Sequence, residues 1–418
     1  MKKKHSISTT KNYLAKYAFQ PVREIPIFAE EVKNIIVVPC YLEPDLIATL
    51  DSLWKCDEPS YPTLVVAVIN NSAKASEEAK AFNKQTYEAA LQWVERHPSK
   101  KLFFHCLLET ELPPKHAGVG LARKIGMDAA LNYFSQIEHN GFITCLDADC
   151  TVQPNYLTEL EKTALNTHVG AATISYRHLY ETLKDKQAKE GIIHYELFLR
   201  YYILALRFAN YPFAMHTIGS SMACRAEAYA KHGGMNRRKA GEDFYFLHKL
   251  APHENFIHLN KTFVFPSSRT SFRVPFGTGK AQKEWLAGQS KIAQTYGPVI
   301  FKELKIFINA IEKHLTEGIK IDVPKSISEF LSQQNFEQEL LRIKQGTNSK
   351  TQAKTQFYQW FDGFKVLKMV HFLRDNHYDN IPLKKAAQTL LGWLNPEIEI
   401  PSETADLLEV FREIDDSN

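Results

Sequence analysis

Four short apolar segments, separated by polar stretches of helical character, constrain the fold of this chain more than any other feature. The segments are residues 34–40, 63–69, 102–108 and 142–146. Short runs rich in β-branched side chains are typical of strands that are buried on both faces of a sheet. Strands that alternate with helices form right-handed β-α-β units and therefore a parallel sheet. The sequence predicts an α/β fold with a mostly parallel central sheet flanked by helices.

The pattern becomes helical after residue 281. Five apolar side chains recur there at helical spacing: Phe357, Trp360, Phe361, Phe364 and Leu367. Such a stripe is typical of the buried face of a helix rather than of a cofactor site. We therefore predict an N-terminal extension over residues 1–32, an α/β domain over 33–280 and a helical C-terminal region over 281–418.

The balance of charge excludes one class of partner. The chain has 51 basic and 47 acidic side chains and a net charge of +4, whereas a nucleic-acid-binding surface needs clustered lysine and arginine. No nucleic-acid partner is expected. The basic residues 1–4 are followed by a polar segment, so we expect no secretory signal and a cytoplasmic location. The six cysteines lack CxxC spacing and are interpreted as free thiols.

The residues that follow the apolar runs are the first candidates for function, because open α/β sheets bind ligands at the carboxyl ends of their strands. They are Tyr41, Glu43, Asn70, Asn71, Asp147 and Asp149. Asp147 and Asp149 would repel each other unless a cation or hydrogen bonds compensate their charge. A divalent ion that also contacts substrate phosphates meets that need. The alternative is a pair of turn aspartates before a helix near Pro154.

A second acidic pair, Glu242-Asp243, stands between Gly241 and an aromatic segment of helical character. Acidic residues are favoured at a helix N-terminus by capping and by the helix dipole, so the pair is explained by helix initiation alone. The same position also keeps a carboxylate ionised and available as a general base. Both interpretations can hold together.

A glycine-containing loop over residues 115–123 opens another predicted helix and contains Lys115, His116 and Arg123. Backbone N–H groups at such a helix start can bind phosphate. The loop lacks the third glycine of a dinucleotide fingerprint and the Gly-Lys-Ser/Thr of a P-loop. Dehydrogenase and NTPase chemistry are therefore disfavoured.

In this order, the motifs resemble those of the family 2 glycosyltransferases, which have the GT-A fold. The resemblance covers about residues 33–280. It rests on six segments: Val38-Pro39-Cys40-Tyr41-Leu42-Glu43, Asn70-Asn71-Ser72, Gly118 to Arg123, Asp147-Ala148-Asp149, Gly219-Ser220-Ser221 and Gly241-Glu242-Asp243. The fold that the resemblance implies is a Rossmann-like GT-A domain, here followed by helices.

The resemblance implies a role for each motif. Asp149 binds Mg²⁺ or Mn²⁺, Asp147 supports the metal or the ribose, and Asp243, with Glu242 beside it, is the catalytic acid pair in which Asp243 deprotonates the acceptor. The segment Gly219-Ser220-Ser221 lies on the acceptor side. The residues implied for the nucleotide donor are Pro39, Tyr41, Glu43, Asn70, Asn71, Gly118, Arg123 and Asp147.

Three features depart from the family pattern. Leu42 replaces a frequent Asn, and Asn70-Asn71 replace the Asp that reads the nucleobase, so both a UDP-sugar and a GDP-sugar stay open as donors. Residues 267–279 do not match the family. Arg269 and Arg273 in that segment either bind phosphate or pair with surface acids.

The function that these residues indicate is metal-dependent, inverting transfer of a hexose-type sugar from a nucleotide-diphosphate sugar to an acceptor, which is a sugar, a lipid or a small molecule. The alternatives are a retaining GT-A enzyme, a nucleotidyltransferase and a non-catalytic nucleotide-sugar-binding protein. An aromatic segment over residues 195–215 is explained as core, as an acceptor groove, or as peripheral contact with the inner face of a membrane. The aromatic residues considered for these roles are Tyr201, Tyr202, Phe208, Tyr211 and Phe213.

Overall fold

The computed structural model describes residues 2–271 and 277–417, with side chains from residue 8 onward. These residues form two units, one within residues 1–179 and 217–279 and the other within 180–216 and 280–418. The predicted domain limits placed residues 180–216 in the α/β domain. In the structure that segment belongs to the helical unit, because its apolar side chains are buried among the C-terminal helices.

One sheet of eight strands forms the centre of the first unit. The strands are β1 (Asn34–Cys40), β2 (Thr63–Ser72), β3 (Leu102–Leu112), β4 (Phe142–Cys145), β5 (Cys150–Val152), β6 (Ala171–Tyr176), β7 (Met222–Arg225) and β8 (Phe256–Pro266). Their order is β3-β2-β1-β4-β7-β6-β8-β5. The four apolar runs of the sequence correspond to β1, β2, β3 and β4, so this prediction is confirmed.

Parallel pairing joins β1 to β2, β2 to β3 and β1 to β4. β7 pairs antiparallel with both β4 and β6, β8 pairs parallel with β6, and β5 is antiparallel to β8. Every residue of β1 is buried, as expected of a strand covered on both faces by helices. The α/β class with a mostly parallel sheet is therefore confirmed, with antiparallel strands added on one side.

The helices have the following bounds in chain order: α1 (Lys2–Lys16), α2 (Leu46–Trp54), α3 (Glu77–Arg96), α4 (Val119–Gln136), α5 (Tyr156–Leu165), α6 (Lys186–Phe208), α7 (Ala226–Lys231), α8 (Glu242–Leu250), α9 (Thr278–Leu286), α10 (Pro298–Glu317), α11 (Lys325–Gln333), α12 (Phe336–Gln345), α13 (Lys350–Trp360), α14 (Gly363–Asn376), α15 (Leu383–Leu394) and α16 (Thr404–Ser417). A 3₁₀ turn spans Tyr180–Thr182, and a two-stranded ladder joins β9 (Gln294–Thr295) to β10 (Ile381–Pro382).

The second unit is a helical assembly around one apolar core, to which α6 and the helices from α10 onward contribute. Tyr201 and Tyr211 are buried in it, while Tyr202, Phe208 and Phe213 pack against it. The core explanation of this aromatic segment therefore holds for its buried members. No described helix is both long enough and apolar enough to span a bilayer. Contact with a membrane surface stays a prediction.

The apolar stripe after residue 356 does not lie on one helix. α13 ends at Trp360, and Asp362 caps α14 by accepting a hydrogen bond from the Lys365 backbone N–H at 2.9 Å. Phe361 is fully buried, whereas Phe364 is 36% exposed. Asp362 before Gly363 is a signal for the start of a helix. The helical spacing of the apolar residues alone does not indicate this break.

Candidate active site

The strand order changes direction at β1, because β2 lies on one side of it and β4 on the other. Ligands of open α/β sheets bind at such a switch point, beyond the carboxyl ends of the strands. β4 pairs with β1 only up to Val37, and Pro39 follows where that pairing has ended. A proline has no N–H to donate to a neighbouring strand, so it is tolerated at a position where the pairing with β4 has ended.

Asp147 and Asp149 lie in a tight turn beyond β4. The Cys150 N–H donates to the Asp147 carbonyl at 3.1 Å, and the Thr49 hydroxyl of α2 donates to the Ala148 carbonyl at 2.9 Å. These bonds fix the backbone and leave both carboxylates accessible, with side-chain exposures of 35% for Asp147 and 28% for Asp149. The turn interpretation and the ligand-binding interpretation of this motif are therefore compatible.

Arg123 of α4 is the buried centre of the site. Its guanidinium is 3% exposed and donates to one carboxylate oxygen of Asp147 and to one of Glu242. Gly219 lies directly against it, since a Cβ at that position would come within 2.3 Å of the guanidinium Nη2. Any larger residue at 219 would displace Arg123. Arg123 was predicted to bind the nucleotide donor. In this structure its guanidinium pairs with two carboxylates, and its contact with a donor stays a prediction.

Glu242 and Asp243 both lie in the first turn of α8, which Gly241 precedes with a φ of 70°. Glu242 is 2% exposed and forms an ion pair with Arg123, whereas Asp243 is half-buried. The Asp243 carboxylate accepts the Phe244 N–H at 2.7 Å. Burial raises the pKa of Asp243 and the negative charge of Asp147 adds to this, against the opposing charge of Arg123. The two acidic motifs therefore meet at one site.

The loop beyond β1 is tied to the end of β2 by Asn83 of α3, which the sequence did not single out. Its side chain accepts the Leu42 N–H at 2.9 Å and donates to the Asn70 carbonyl at 3.0 Å and to the Asn71 side chain at 3.2 Å. Asn71 also donates to the Thr110 carbonyl at 2.7 Å. Its amide is thus used inside the protein, and no described hydrogen bond uses the Asn70 side chain.

Leu42 has a φ of 48°, a left-handed conformation that a branched side chain rarely adopts. Asn tolerates this region far better than Leu does. The first departure from the family pattern therefore lies at a position where the backbone itself favours Asn. The bond from its N–H to Asn83 helps to hold the conformation.

A second charged cluster lies beside Asp149. The sequence indicated Arg269 as a partner of phosphate or of acids, but it did not identify which acids. The Arg269 guanidinium contacts Glu43, lies 3.1 Å from Asp45 through Nε and 3.9 Å from Asp149 through Nη2. Glu43 is 1% exposed and also accepts the Asp45 N–H at 3.0 Å. Of the two alternatives for Arg269, pairing with acids is what this structure shows. Arg273 lies outside the described residues.

The side chains at this edge of the sheet suit a hard divalent cation, which prefers carboxylate oxygens as ligands. The carboxylates here outnumber the guanidinium groups. The described residues contain no group of three or more His, Cys, Asp or Glu side chains arranged to hold a metal. Asp149 and Asp147 therefore do not form a complete protein cage. They suit an ion whose remaining ligands are water and substrate phosphates, as is usual for Mg²⁺.

The predicted acceptor-side residues form an internal support. Ser220 and Ser221 are each 2% exposed. The Ser221 carbonyl accepts the Ile174 N–H at 2.9 Å, and its own N–H donates to Ile218 at 2.9 Å. The Ser221 hydroxyl is buried without a hydrogen-bond partner in the described chain. Because Gly219 lies against Arg123, this turn helps to hold the Arg123 guanidinium in place. Contact of the turn with an acceptor stays a prediction.

No protein-family model matches the chain, and no curated protein matches it either. TarS 1-349 of S. aureus, solved with UDP-GlcNAc, is 15% identical over 92% of this chain and 89% of that chain, with a TM-score of 0.38. The Pyrobaculum calidifontis mannosyltransferase PcManGT, solved with GDP-Man and Mn²⁺, is 16% identical over 99% and 94%, with a TM-score of 0.36. GalNAc-T7, solved with UDP, GalNAc and Mn²⁺, is 12% identical over 74% and 55%, with a TM-score of 0.35. Likeness at this level assigns no family to the chain.

Proposed function

We propose that this protein is a glycosyltransferase that moves a sugar from a nucleotide-diphosphate sugar to an acceptor hydroxyl, with a divalent ion and with inversion. The observation that carries the proposal is that Asp147 and the pair Glu242-Asp243 converge on Arg123, with Asp149 two residues after Asp147, at the switch point of an α/β sheet. Catalytic carboxylates and a cation site at one edge are what sugar transfer from a diphosphate requires.

The donor diphosphate is placed between the Asp147–Asp149 turn and the start of α4. The helix begins at Val119 after Gly118, and its first N–H groups provide the positive end of a helix dipole for phosphate. Asp149 with Asp147 would hold Mn²⁺ or Mg²⁺, which when bound takes up charge on the departing nucleoside diphosphate. Arg123 keeps Asp147 oriented for this role.

The nucleobase end is assigned to Tyr41 and Asn70. Tyr41 is 36% exposed and offers a ring for stacking. Asn70 is 4% exposed and lies two residues before the end of β2, next to Asn71, whose amide is hydrogen-bonded within the protein. An amide side chain both donates and accepts hydrogen bonds, so uracil and guanine are both accommodated. Binding measurements with UDP-sugars and GDP-sugars decide between the two bases.

Asp243 is the proposed base. A carboxyl whose pKa is raised by burial is a stronger proton acceptor than an exposed aspartate. Glu242 cannot serve while it pairs with Arg123 in a buried contact. Asp243 therefore takes the proton of the acceptor hydroxyl as the acceptor oxygen attacks C1 of the sugar from the side opposite the diphosphate.

The test is a panel of UDP-, GDP- and dTDP-sugars with Mn²⁺, read by thermal shift and by chromatography of the released nucleotide. A thermal shift with one sugar nucleotide and slow release of its nucleoside diphosphate are expected. Asp149→Ala should lose both signals, whereas Asp57→Asn, an exposed carboxylate of the same unit, should keep both. Release of pyrophosphate with nucleoside monophosphate incorporation would indicate a nucleotidyltransferase instead.

Two further outcomes decide the remaining alternatives once an acceptor is found. Inversion predicts that the anomeric configuration of the product, read by proton NMR coupling, is opposite to that of the donor. Retention of configuration would replace the proposed mechanism with a retaining one. Tight binding without turnover for any acceptor would favour a nucleotide-sugar-binding protein.

A further inference from the structure

Arg269 occupies an unusual position for an arginine of a surface loop. It follows β8, and its guanidinium lies among three carboxylates that belong to two different loops: Glu43, Asp45 and Asp149. The guanidinium is one-third exposed, while the Glu43 carboxylate is 1% exposed. The arginine therefore screens an acidic edge that would otherwise carry an uncompensated buried charge.

The contact with Asp149 differs from the other two. Its carboxylate oxygen lies 3.9 Å from Nη2, whereas Asp45 lies 3.1 Å from Nε and Glu43 is in direct hydrogen-bond contact. Asp149 is thus attracted by Arg269, while its side chain stays 28% exposed. A divalent ion bound to this carboxylate would lie close to the guanidinium, and two positive charges a few ångströms apart repel each other.

We propose that Arg269 is a resident counter-cation that competes with the divalent ion for Asp149 and makes metal binding depend on the nucleotide. In the free protein the guanidinium lowers the affinity of the acidic edge for the ion. When a nucleoside diphosphate binds, its phosphates supply negative charge for both the ion and the guanidinium, so the two cations no longer exclude each other. This inference rests on the proposed function and adds an order of binding to it.

Arg269 acts through Asp149 and the phosphates, so it is a positioning residue. Arginine suits this exchange because its planar fork pairs equally well with carboxylate and with phosphate oxygens. A loop arginine that merely fastened residues 267–271 to Glu43 would not influence metal affinity according to whether nucleotide is present. Coupling between the two ligands therefore separates the proposal from a structural role.

The experiment measures Mn²⁺ binding by electron paramagnetic resonance of the free ion, without nucleotide and with saturating UDP and then GDP. Wild-type protein should bind Mn²⁺ about tenfold more tightly with the matching nucleotide, within the range of ordinary coupling. Arg269→Gln should bind Mn²⁺ about tenfold more tightly than wild type without nucleotide. It should gain less from nucleotide than wild type does, because only the direct ligation of the ion by phosphate remains. Arg269→Lys, which keeps the charge, should behave like wild type.

The matched control is Arg96→Gln, which removes an exposed arginine of the same unit at the end of α3 and should leave both affinities unchanged. Equal Mn²⁺ affinity of wild type and Arg269→Gln without nucleotide would overturn the proposal. So would an increase that is the same with and without nucleotide. If Arg269→Gln fails to fold, absence of any nucleotide effect on wild-type Mn²⁺ binding overturns it as well.

The failure of the proposed function looks different. If none of UDP, GDP and dTDP binds to the wild type with or without metal, the nucleotide-sugar assignment is lost. The comparison of Mn²⁺ affinity between wild type and Arg269→Gln without nucleotide still decides whether Arg269 and the ion compete for Asp149.

Discussion

Each unit of the protein buries arginine–carboxylate pairs, and the two sets are built differently. In the helical unit, Arg200 donates to Glu196 at 2.9 Å and to Asp415 at 2.5 Å, and Arg412 donates to both oxygens of Glu196 at 2.8 and 2.9 Å. All four residues are at most 3% exposed. In the α/β unit, Arg123 is equally buried, but one of its partners, Asp147, has a side chain that is 35% exposed.

In the helical network, the carboxylates of Glu196 and Asp415 are buried and paired with arginine. Burial alone would raise the pKa of Asp415, yet His216, Arg200 and Arg207 hold it well below the usual range of an aspartate. In the α/β unit the opposite holds, because burial outweighs Arg123 and leaves the pKa of Asp243 raised. A carboxylate compensated on every side contributes to structure, whereas one with a raised pKa at an open edge is available for chemistry.

The largest expected effect is that of Asp243→Asn on turnover. The amide keeps the shape and can still accept the Phe244 N–H, but it cannot take a proton, so the rate should fall about 10²- to 10⁴-fold with donor affinity retained. Initial rates and calorimetric donor binding measure the two effects. Wild-type turnover of Asp243→Asn together with an inactive Glu242→Gln would move the base to Glu242.

The same substitution tests the electrostatic contrast through stability. Because the folded-state pKa of Asp243 is raised, its contribution to stability is present below the ordinary aspartate pKa and is lost as the pH rises through the folded value. Asp243→Asn should therefore have a higher Tm than wild type at pH 7, and the difference should disappear in acid. Scanning calorimetry across this pH range checks it, and a lower Tm at pH 7 would contradict the raised pKa.

Arg123→Met should give the largest loss of stability, about 3–5 kcal/mol, because it leaves Glu242 buried without a partner. The double variant Arg123→Met with Glu242→Leu removes both charges and should recover most of that loss. Donor affinity should stay low in the double variant, since Asp147 has lost its orienting partner. Urea unfolding and donor titration separate the two effects. Recovery of donor affinity along with stability would reduce Arg123 to a structural role.

In the helical unit, Asp415→Asn should cost less, about 1.5–3 kcal/mol, the usual range for a hydrogen bond to a charged group. Arg200 keeps its bond to Glu196, and Arg207 is partly exposed to solvent. Turnover per folded molecule should be unchanged, measured well below the melting temperature. A selective loss of turnover at full folding would show that this network has a catalytic role after all.

The smallest expected effect concerns the aromatic segment of α6. Because Tyr201 and Tyr211 are buried in the helical core, we expect flotation with anionic vesicles to leave the protein in the soluble fraction. Vesicles of neutral lipid are the control. Recovery of the protein with anionic vesicles alone would show that an exposed face of the protein binds membranes electrostatically.

How much of this could be predicted from the sequence depends on whether the signal is local. The first four strands are apolar runs, and Asp147 and Asp149 follow one of them directly, so both were found. Asn83 and Arg269 were not assigned their contacts, because their partners lie far away in the chain and no periodicity records such contacts. A rule that a polar residue on the buried face of an amphipathic helix needs a partner would have identified Asn83.

Two other features depend on tertiary contacts. Glu242 and Asp243 are neighbours in sequence, and only the position of Arg123 shows which carboxylate turns inward. Residues 180–216 were assigned to the α/β domain because they lie between its motifs along the chain. Their apolar side chains are instead buried with the helices from α10 onward. Arg200 also pairs with Asp415, which lies far later in the chain.

The most direct test of the central claim is a calorimetric titration of the sugar nucleotide found by the panel into wild-type protein, with Mn²⁺ and with EDTA. The account predicts binding with Mn²⁺, little or none with EDTA, and none for Asp149→Ala under either condition. The diphosphate would otherwise face the carboxylates of Asp147 and Asp149 without a compensating ion. Equal donor affinity with Mn²⁺ and with EDTA, or full affinity in Asp149→Ala, would contradict the account.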